Sequence, residues 1–365
     1  MVLFDGLIFA NHEYGGINRY LAELVRHIAA DGRMRPIVHA PYYVSKYLDD
    51  LRDNGVSVQG RRLPIFKGVS LIANNLNRFQ RIKKDYEIFH SGWYPQSRPR
   101  GRGKILAFMA YDMIAELFPD EVSNAKAQTM QKRLALKIAD IIFASSESAK
   151  MDLVKIAEVD AKQIVVTPLA TSIAEFSPEK KKTACHPPYI LYVGRRSGYK
   201  NFSSILQAFR SSRKIGSEFQ LVCFGGEKFS PEELGILRHM PAEGPGSVLR
   251  VTGDDSVLAE RYANAALFVC SSKYEGFGIP LLEAMTCGCP VVSTQGGSLR
   301  EVGGNAPLYA EDATPDALRF AMESILFDSS ATVRGIEAGL ERAKHFSWKE
   351  TASRTVDAYL QHIRH

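Results

Sequence analysis

The chain has 365 residues, more than one compact domain usually holds, so two domains are expected. Hydrophobic residues make up 45% and charged residues 24%, a balance that excludes a disordered or collagen-like chain. The 46 Lys and Arg against 40 Asp and Glu leave a charge of +6, which suits an anionic small molecule or membrane surface, and no module of interleaved basic and aromatic residues points to nucleic acid.

No run approaches about 18 apolar residues, so no membrane-spanning helix is expected. The start MVLFDGLIF lacks the basic opening and long apolar run of a signal peptide. Five cysteines (Cys185, Cys223, Cys270, Cys287 and Cys289) are an odd, scattered set, as expected of free thiols in a reducing cytoplasm. Cys287 and Cys289 are too close together to form half of a zinc site.

In chain order, strands are expected at 2–9, 35–40, 87–92, 104–109, 140–146 and 163–168. A second series follows at 189–194, 219–225, 248–253, 267–272, 290–294 and 306–310. Many are rich in Ile, Val and Phe with little alternation, as strands buried on both faces are. Between them lie amphipathic stretches. In 17–30, Ile17, Leu21, Leu24, Val25 and Ile28 share a helical face. Strand–helix alternation predicts parallel sheets covered by helices. The run 177–188, with three prolines and three consecutive lysines, reads as a linker between two α/β halves. The expected domains are therefore 1–176 and 189–345. Ligands of such sheets bind at the carboxyl ends of the strands, and two halves facing each other would enclose a cleft.

Three motifs are placed for chemistry. Gly15-Gly16 lies between the first strand and the helix 17–30, where free amide groups suit phosphate, although an ordinary loop reads the same way. The segment Tyr192–Asn201 ends a strand at Gly194 and then carries Arg195, Arg196 and Lys200; it reads as a diphosphate clamp or a solvated basic loop. The segment Lys273–Met285 places Glu275 before a helix opening near Pro280 and Glu283 about one turn inside it. The amide groups of 276–279 would face an anion there, while a carboxylate at a helix start is also explained by the helix dipole alone.

The third motif is similar to the E-x7-E signature of retaining GT-B glycosyltransferases, in the large family that includes bacterial mannosyltransferases of lipopolysaccharide assembly. Further resemblances follow in order. Gly15-Gly16-Ile17 with Arg19-Tyr20 resembles the family's glycine loop, and Ser146–Lys150 its SExSK helix start, with Ala149 in place of a Ser. Gly194-Arg195 with Lys200-Asn201 resembles its diphosphate-binding strand end, and Gly253-Asp254-Asp255 and Phe346-Ser347-Trp348 resemble later landmarks. The resemblance implies two Rossmann-like domains facing a central cleft and a C-terminal segment, 346–365, whose helix crosses back to the N-terminal domain. It implies that Arg195 and Lys200 bind the leaving diphosphate, that Glu283 accepts bonds from the ribose, and that Glu275 with the backbone of Phe277, Gly278 and Ile279 holds the donor sugar. Gly16, beside Gly15, would give its amide to the phosphate from the other domain. The implied reaction is metal-independent, retaining transfer of a hexose, with mannose from GDP-mannose favoured, to a hydroxyl of a growing polysaccharide, with a polyprenyl diphosphate carrier as one option. No cofactor is implied, because the nucleotide sugar is a substrate.

One position departs. Tyr111 stands where many relatives carry a His, followed by Asp112. A tyrosine, with an ordinary pKa of about 10, is a poor base at neutral pH. A front-side mechanism needs no such base, since the departing phosphate oxygen serves. Asp112 is a candidate for contacts to donor sugar or acceptor, or a cap for the following turn. The pairs Asp49-Asp50 and Asp254-Asp255 are not D-x-D, and turns and caps explain them better. The stretch 71–84 puts Ile72, Leu76, Phe79 and Ile82 near one face, with Arg78, Arg81, Lys83 and Lys84 beside it, and Arg98, Arg100, Arg102 and Lys104 follow. That is the composition of an interfacial helix, though a solvated basic face is its commoner meaning. Two rivals remain at this level: a nucleotide-sugar epimerase on the same fold, and a catalytically silent binding subunit.

Overall fold

The computed structural model describes residues 1–11, 13, 15–66, 68–78, 86–98, 104–176 and 187–364. The chain forms two compact units, one of 1–116, 124–169 and 347–365, the other of 117–123 and 170–346. The division falls at Leu169–Ala170, before the expected linker, whose residues 177–186 lie outside the described set.

Unit 1 holds seven parallel strands: β1 (Val2–Asp5), β2 (Pro36–Tyr43), β3 (Ser57–Arg62), β4 (Ile88–Ser91), β5 (Ile105–Ala110), β6 (Ile141–Ala144) and β7 (Ile164–Val166), in the order β3-β2-β1-β4-β5-β6-β7. Unit 2 holds six: β8 (Tyr189–Val193), β9 (Gln220–Phe224), β10 (Val248–Val251), β11 (Leu267–Cys270), β12 (Val291–Ser293) and β13 (Leu308–Tyr309), in the order β10-β9-β8-β11-β12-β13. In both sheets the strand order reverses beside the first strand, the place where open α/β sheets bind ligands. Unit 2 packs Phe202, Leu206 and Phe209 against Ile190, Leu267 and Val269, all almost fully buried.

Two differences from the sequence reading have local causes. The first strand stops at Asp5 instead of running to Phe9. Gly6 lies so close to β2 that a Cβ there would sit 2.4 Å from that of Ala40, and Leu7–Ala10 turn into a 3₁₀ helix. Strand β3 was not expected at all, because SVQGRR is polar; it is an edge strand with no buried residue, paired only to β2.

The helix expected over 71–84 is observed as Val69–Arg78; the rest of that stretch lies outside the described residues. Its inward side is Val69 and Ala73 together with polar groups. Asn77 bonds both the amide and the carbonyl of Tyr42, and Ser70 and Asn74 bond Asn11. The large aliphatics face outward: Leu71 is 68% exposed, Ile72 45% and Leu76 40%, preceded by Ile65 and Phe66 at 57% and 48%. The described part of the outward face is apolar; the side chains of Arg78, Arg81, Lys83 and Lys84, which carried the basic reading, lie outside what is described. Arg98 is tied to Asp140 and the Ile138 carbonyl. Among the described residues no helix is long and apolar enough to cross a membrane.

The helix Trp348–Arg364 belongs to unit 1. Its Tyr359 hydroxyl lies 2.6 Å from Nδ1 of His90, a fully buried residue of β4 stacked between Phe4 and Phe143.

Candidate active site

In unit 2 the site grows from the carboxyl ends of β8 and β11, adjacent parallel strands. After β8 the chain turns at Gly194 (φ +123°) and makes a short 3₁₀ turn, Gly198–Lys200. Asn201 then adopts φ +54° to open the helix Phe202–Ser211, held by its side-chain amide on the Ala313 carbonyl. Two bonds tie this loop to the one after β11: the Lys273 amide donates to the Tyr199 carbonyl at 2.8 Å, and Ser271 Oγ donates to the Lys200 carbonyl at 2.7 Å.

These ties bring together two of the expected site residues. Lys200 Nζ lies 2.6 Å from Glu275 Oε1, and Ser272 Oγ donates to the same oxygen at 2.5 Å. Both charged side chains are mostly buried, at 20% and 11% exposure. Burial opposes the lysine charge, but the Glu275 carboxylate and neighbouring Tyr199 outweigh it, and the Lys200 pKa lies above its ordinary value. The ammonium is therefore charged at any physiological pH.

Glu275 is held from behind by a glycine pair. Its carbonyl accepts both the amide and Oγ of Ser298 at 3.0 Å. A Cβ on Gly296 would lie 1.8 Å from the Lys273 carbonyl oxygen, and one on Gly297 (φ +62°) 2.3 Å from that of Glu275. Only glycine permits this approach. The chain then passes Phe277, packed edge-on against Phe346, and Gly278 (φ +88°) into the helix Ile279–Thr286. The amides of Phe277, Gly278 and Ile279 have no acceptor among the described residues. Glu283, in the second turn and 3% exposed, accepts a 3.1 Å bond from Tyr262 Oη.

The two arginines separate sharply. Arg195 is exposed, and its guanidinium has no partner among the described residues. The Arg196 side chain is 5% exposed, paired with Glu233 at 3.0 Å, donating to the Glu227 carbonyl and lying 4.5 Å from the Phe229 ring. Arg196 is thus a packing element of the unit, and Arg195 the available cation.

In unit 1, Gly15 caps the helix Gly16–Asp31. Both glycines are exposed, and an added Cβ would meet nothing within 4 Å, so packing does not demand them. Asp112 Oδ1 accepts the Ile114 amide at 2.9 Å and caps the turn Ile114–Leu117, the structural reading of that residue. The segment is fixed further by buried Lys132, whose Nζ bonds the Asp112 carbonyl and Glu116 at 2.7 Å each. Burial, with Tyr20, Tyr94 and Asp112 nearby, holds the Tyr111 phenol well above its usual pKa, so it stays protonated. Asp254 caps the helix Asp255–Asn264, as a turn-and-cap reading expects.

Sequence reasoning missed Ser272, Tyr262 and the Gly296-Gly297-Ser298 support. The glycine pair after a buried strand was the one available signal. It also missed Asp5, at the carboxyl end of β1, whose pKa is pushed up to about 6 by burial, against bonds from the Leu7 amide and Ser91.

Residues 174–342 match the family described as glycosyl transferases group 1. The chain is 28% identical over 94% of its length, and 95% of the relative's, to O-antigen chain mannosyltransferase B of Escherichia coli. It is 32% identical to the MMP alpha-(1->4)-mannosyltransferase of Mycolicibacterium hassiacum over 63% of its own length and 56% of that protein's. Among solved structures it resembles sucrose-phosphate synthase of Thermosynechococcus elongatus (TM-score 0.74, 19% identity, 99% and 98% coverage) and WaaG, a glycosyltransferase involved in lipopolysaccharide biosynthesis (TM-score 0.65, 16% identity, 98% and 99% coverage). The second unit is thus a group 1 glycosyltransferase domain, and the chain as a whole has the GT-B fold and is similar to bacterial mannosyltransferases.

Proposed function

We propose that the chain transfers mannose from GDP-mannose, with retention and without a metal ion, to a hydroxyl of a growing bacterial polysaccharide. The observation that carries this reading is the Lys200–Glu275 pair at the joined ends of β8 and β11, with unpaired amides and Glu283 following on one short helix. In this reading Lys200 and Arg195 take the diphosphate, Glu275 and the amides of Phe277–Ile279 the sugar, and Glu283 the ribose. The mannose preference is supported by the names of the relatives, two of which are mannosyltransferases.

The chemistry follows from charge. As the bond from the anomeric carbon to the phosphate oxygen breaks, negative charge grows on the diphosphate, and cations aimed there lower the barrier. The acceptor oxygen bonds the same face of that carbon, and its proton passes to the departing phosphate oxygen. The test is transfer from a panel of nucleotide sugars with excess chelator present and the product's anomeric configuration read by NMR. A retained configuration with GDP-mannose as best donor is expected; inversion, or activity restored only by added magnesium or manganese, refutes the assignment.

The acceptor's polyprenyl diphosphate carrier and a peripheral membrane position belong to the same proposal. Their support is the outward apolar face of Leu71, Ile72 and Leu76, in a sequence stretch 61–84 that holds seven basic residues and no acidic one. Sedimentation with anionic but not neutral vesicles is expected; equal binding to both, or to neither, removes that part.

A further inference from the structure

Strands β4 and β5 are neighbours, and each ends in an aromatic residue just beyond its carboxyl end. Trp93 follows β4 by two residues, and Tyr111 follows β5 directly. Their rings stack at 6.3 Å with a 27° tilt. Behind them Tyr20, from the first turns of the helix Gly16–Asp31, meets Tyr111 edge-on at 5.6 Å. Tyr94 supports Trp93 at 4.6 Å.

This cluster is only partly a core. Trp93 and Tyr111 both keep exposed surface. Neither the Trp93 indole nor the Tyr111 hydroxyl makes a hydrogen bond to a described residue. The Tyr20 hydroxyl is buried and without a partner among the described residues. The Trp93 N–H and the Tyr111 hydroxyl, on partly exposed rings, are therefore the groups left for a ligand's polar atoms. Aromatic rings carrying a polar tip suit a molecule with one apolar and one hydroxylated aspect. A pyranose ring is such a molecule: its C–H face packs on a ring, and its hydroxyls serve as donors and acceptors.

We propose that Trp93 and Tyr111 form a sugar platform in unit 1, a subsite for a hexose of the acceptor glycan, with the Tyr111 hydroxyl and the Trp93 indole N–H facing the sugar's oxygens. The inference rests on the glycan acceptor proposed above and specifies which residues hold it. It also gives Tyr111 a task that a histidine would not perform: to present a flat face to a sugar while its phenol stays protonated.

The protein has two tryptophans, and the other, Trp348, is buried, so emission is a direct probe. In Trp348→Phe protein, titration with mannotetraose and with the corresponding gluco- and galacto-oligosaccharides, without donor, is expected to change Trp93 emission saturably for at least one of the three. In the transfer assay, Trp93→Ala raises acceptor KM at least tenfold with kcat and donor affinity within about twofold. Trp93→Phe restores most of the acceptor affinity, and Tyr111→Phe raises acceptor KM by about 2–10-fold, the range for one lost hydrogen bond. No emission change with any oligosaccharide, or unaltered acceptor KM in folded Trp93→Ala and Tyr111→Phe proteins, overturns the proposal. Absence of transfer from GDP-mannose refutes the donor assignment alone, because the emission titration needs no donor.

Discussion

Two titratable groups in unit 1, buried His90 and partly buried Asp5, pull its acid stability in opposite directions, and each can be removed separately. Burial depresses the His90 pKa to about 3 from 6.5. Between those values the unfolded chain holds a proton that the folded one lacks, so stability falls as pH falls, by about 1.4 kcal/mol per pH unit and about 5 kcal/mol in all. Burial raises the Asp5 pKa to about 6 from 3.8, so there the folded chain holds the extra proton. Stability from that group is fully present below pH 3.8 and lost as pH rises through 6, by at most about 3 kcal/mol. Between pH 6 and 4 the two slopes cancel. Because Trp93 and Trp348 both lie in unit 1, urea unfolding followed by tryptophan emission reads this unit. Relative to wild type, His90→Asn, which keeps an acceptor for the Tyr359 hydroxyl, gains about 1.4 kcal/mol for each unit that pH drops from 6 to 4. Asp5→Asn, which still accepts the Leu7 amide, loses the same amount. Variants whose differences from wild type do not change with pH would refute the reasoning, as would slopes of the same sign.

Arg195→Ala lowers kcat about 10²–10³-fold at saturating donor, the usual cost of one donor aimed at developing charge, with melting temperature unchanged because the side chain is exposed. Arg196→Ala does the reverse: it strands Glu233 and costs on the order of 3 kcal/mol in urea unfolding of unit 2, with kcat per folded molecule retained. Glu283→Gln weakens donor binding roughly 10–150-fold in a calorimetric titration if its carboxylate binds ribose; unchanged affinity in folded protein would assign it to the Tyr262 bond alone. Gly296→Ala forces the backbone away from Lys273, so turnover should collapse together with a loss of about 1–3 kcal/mol; a fully active, fully stable variant would show that the glycine pair does not set Glu275.

The parts of the fold visible in the sequence were those buried on both faces. Strands such as IIFA and LFVC are continuous apolar runs because helices cover them, and no other state suits them. Strand β3 and the inward side of the Val69–Arg78 helix were hidden for the opposite reason. One is polar and at an edge, and the other places asparagines inward, where backbone groups of Tyr42 and atoms of Asn11 satisfy them, so its pattern reads inverted. At the site, spacing singled out Lys200, Glu275 and Glu283 as candidates, but not that two of them touch. That contact depends on Ser271 and Lys273 bonding a loop 71 to 74 residues earlier in sequence. The capping bond from the Ile114 amide to Asp112 is local geometry that the spacing alone does not give.

The Lys200–Glu275 contact has a bearing on selectivity. In the free protein the lysine is already neutralised, so any anion that claims Lys200 must take it from Glu275. Inorganic phosphate or a bare nucleotide offers the lysine a substitute partner but leaves the glutamate charged and mostly buried, with Ser272 as its side-chain donor among the described residues. A ligand joining a diphosphate to a hydroxylated sugar gives each member of the pair a new partner in the same event. On the proposed donor assignment, the resting ion pair sets a threshold that favours a ligand offering partners to both members over one offering a partner to the lysine alone.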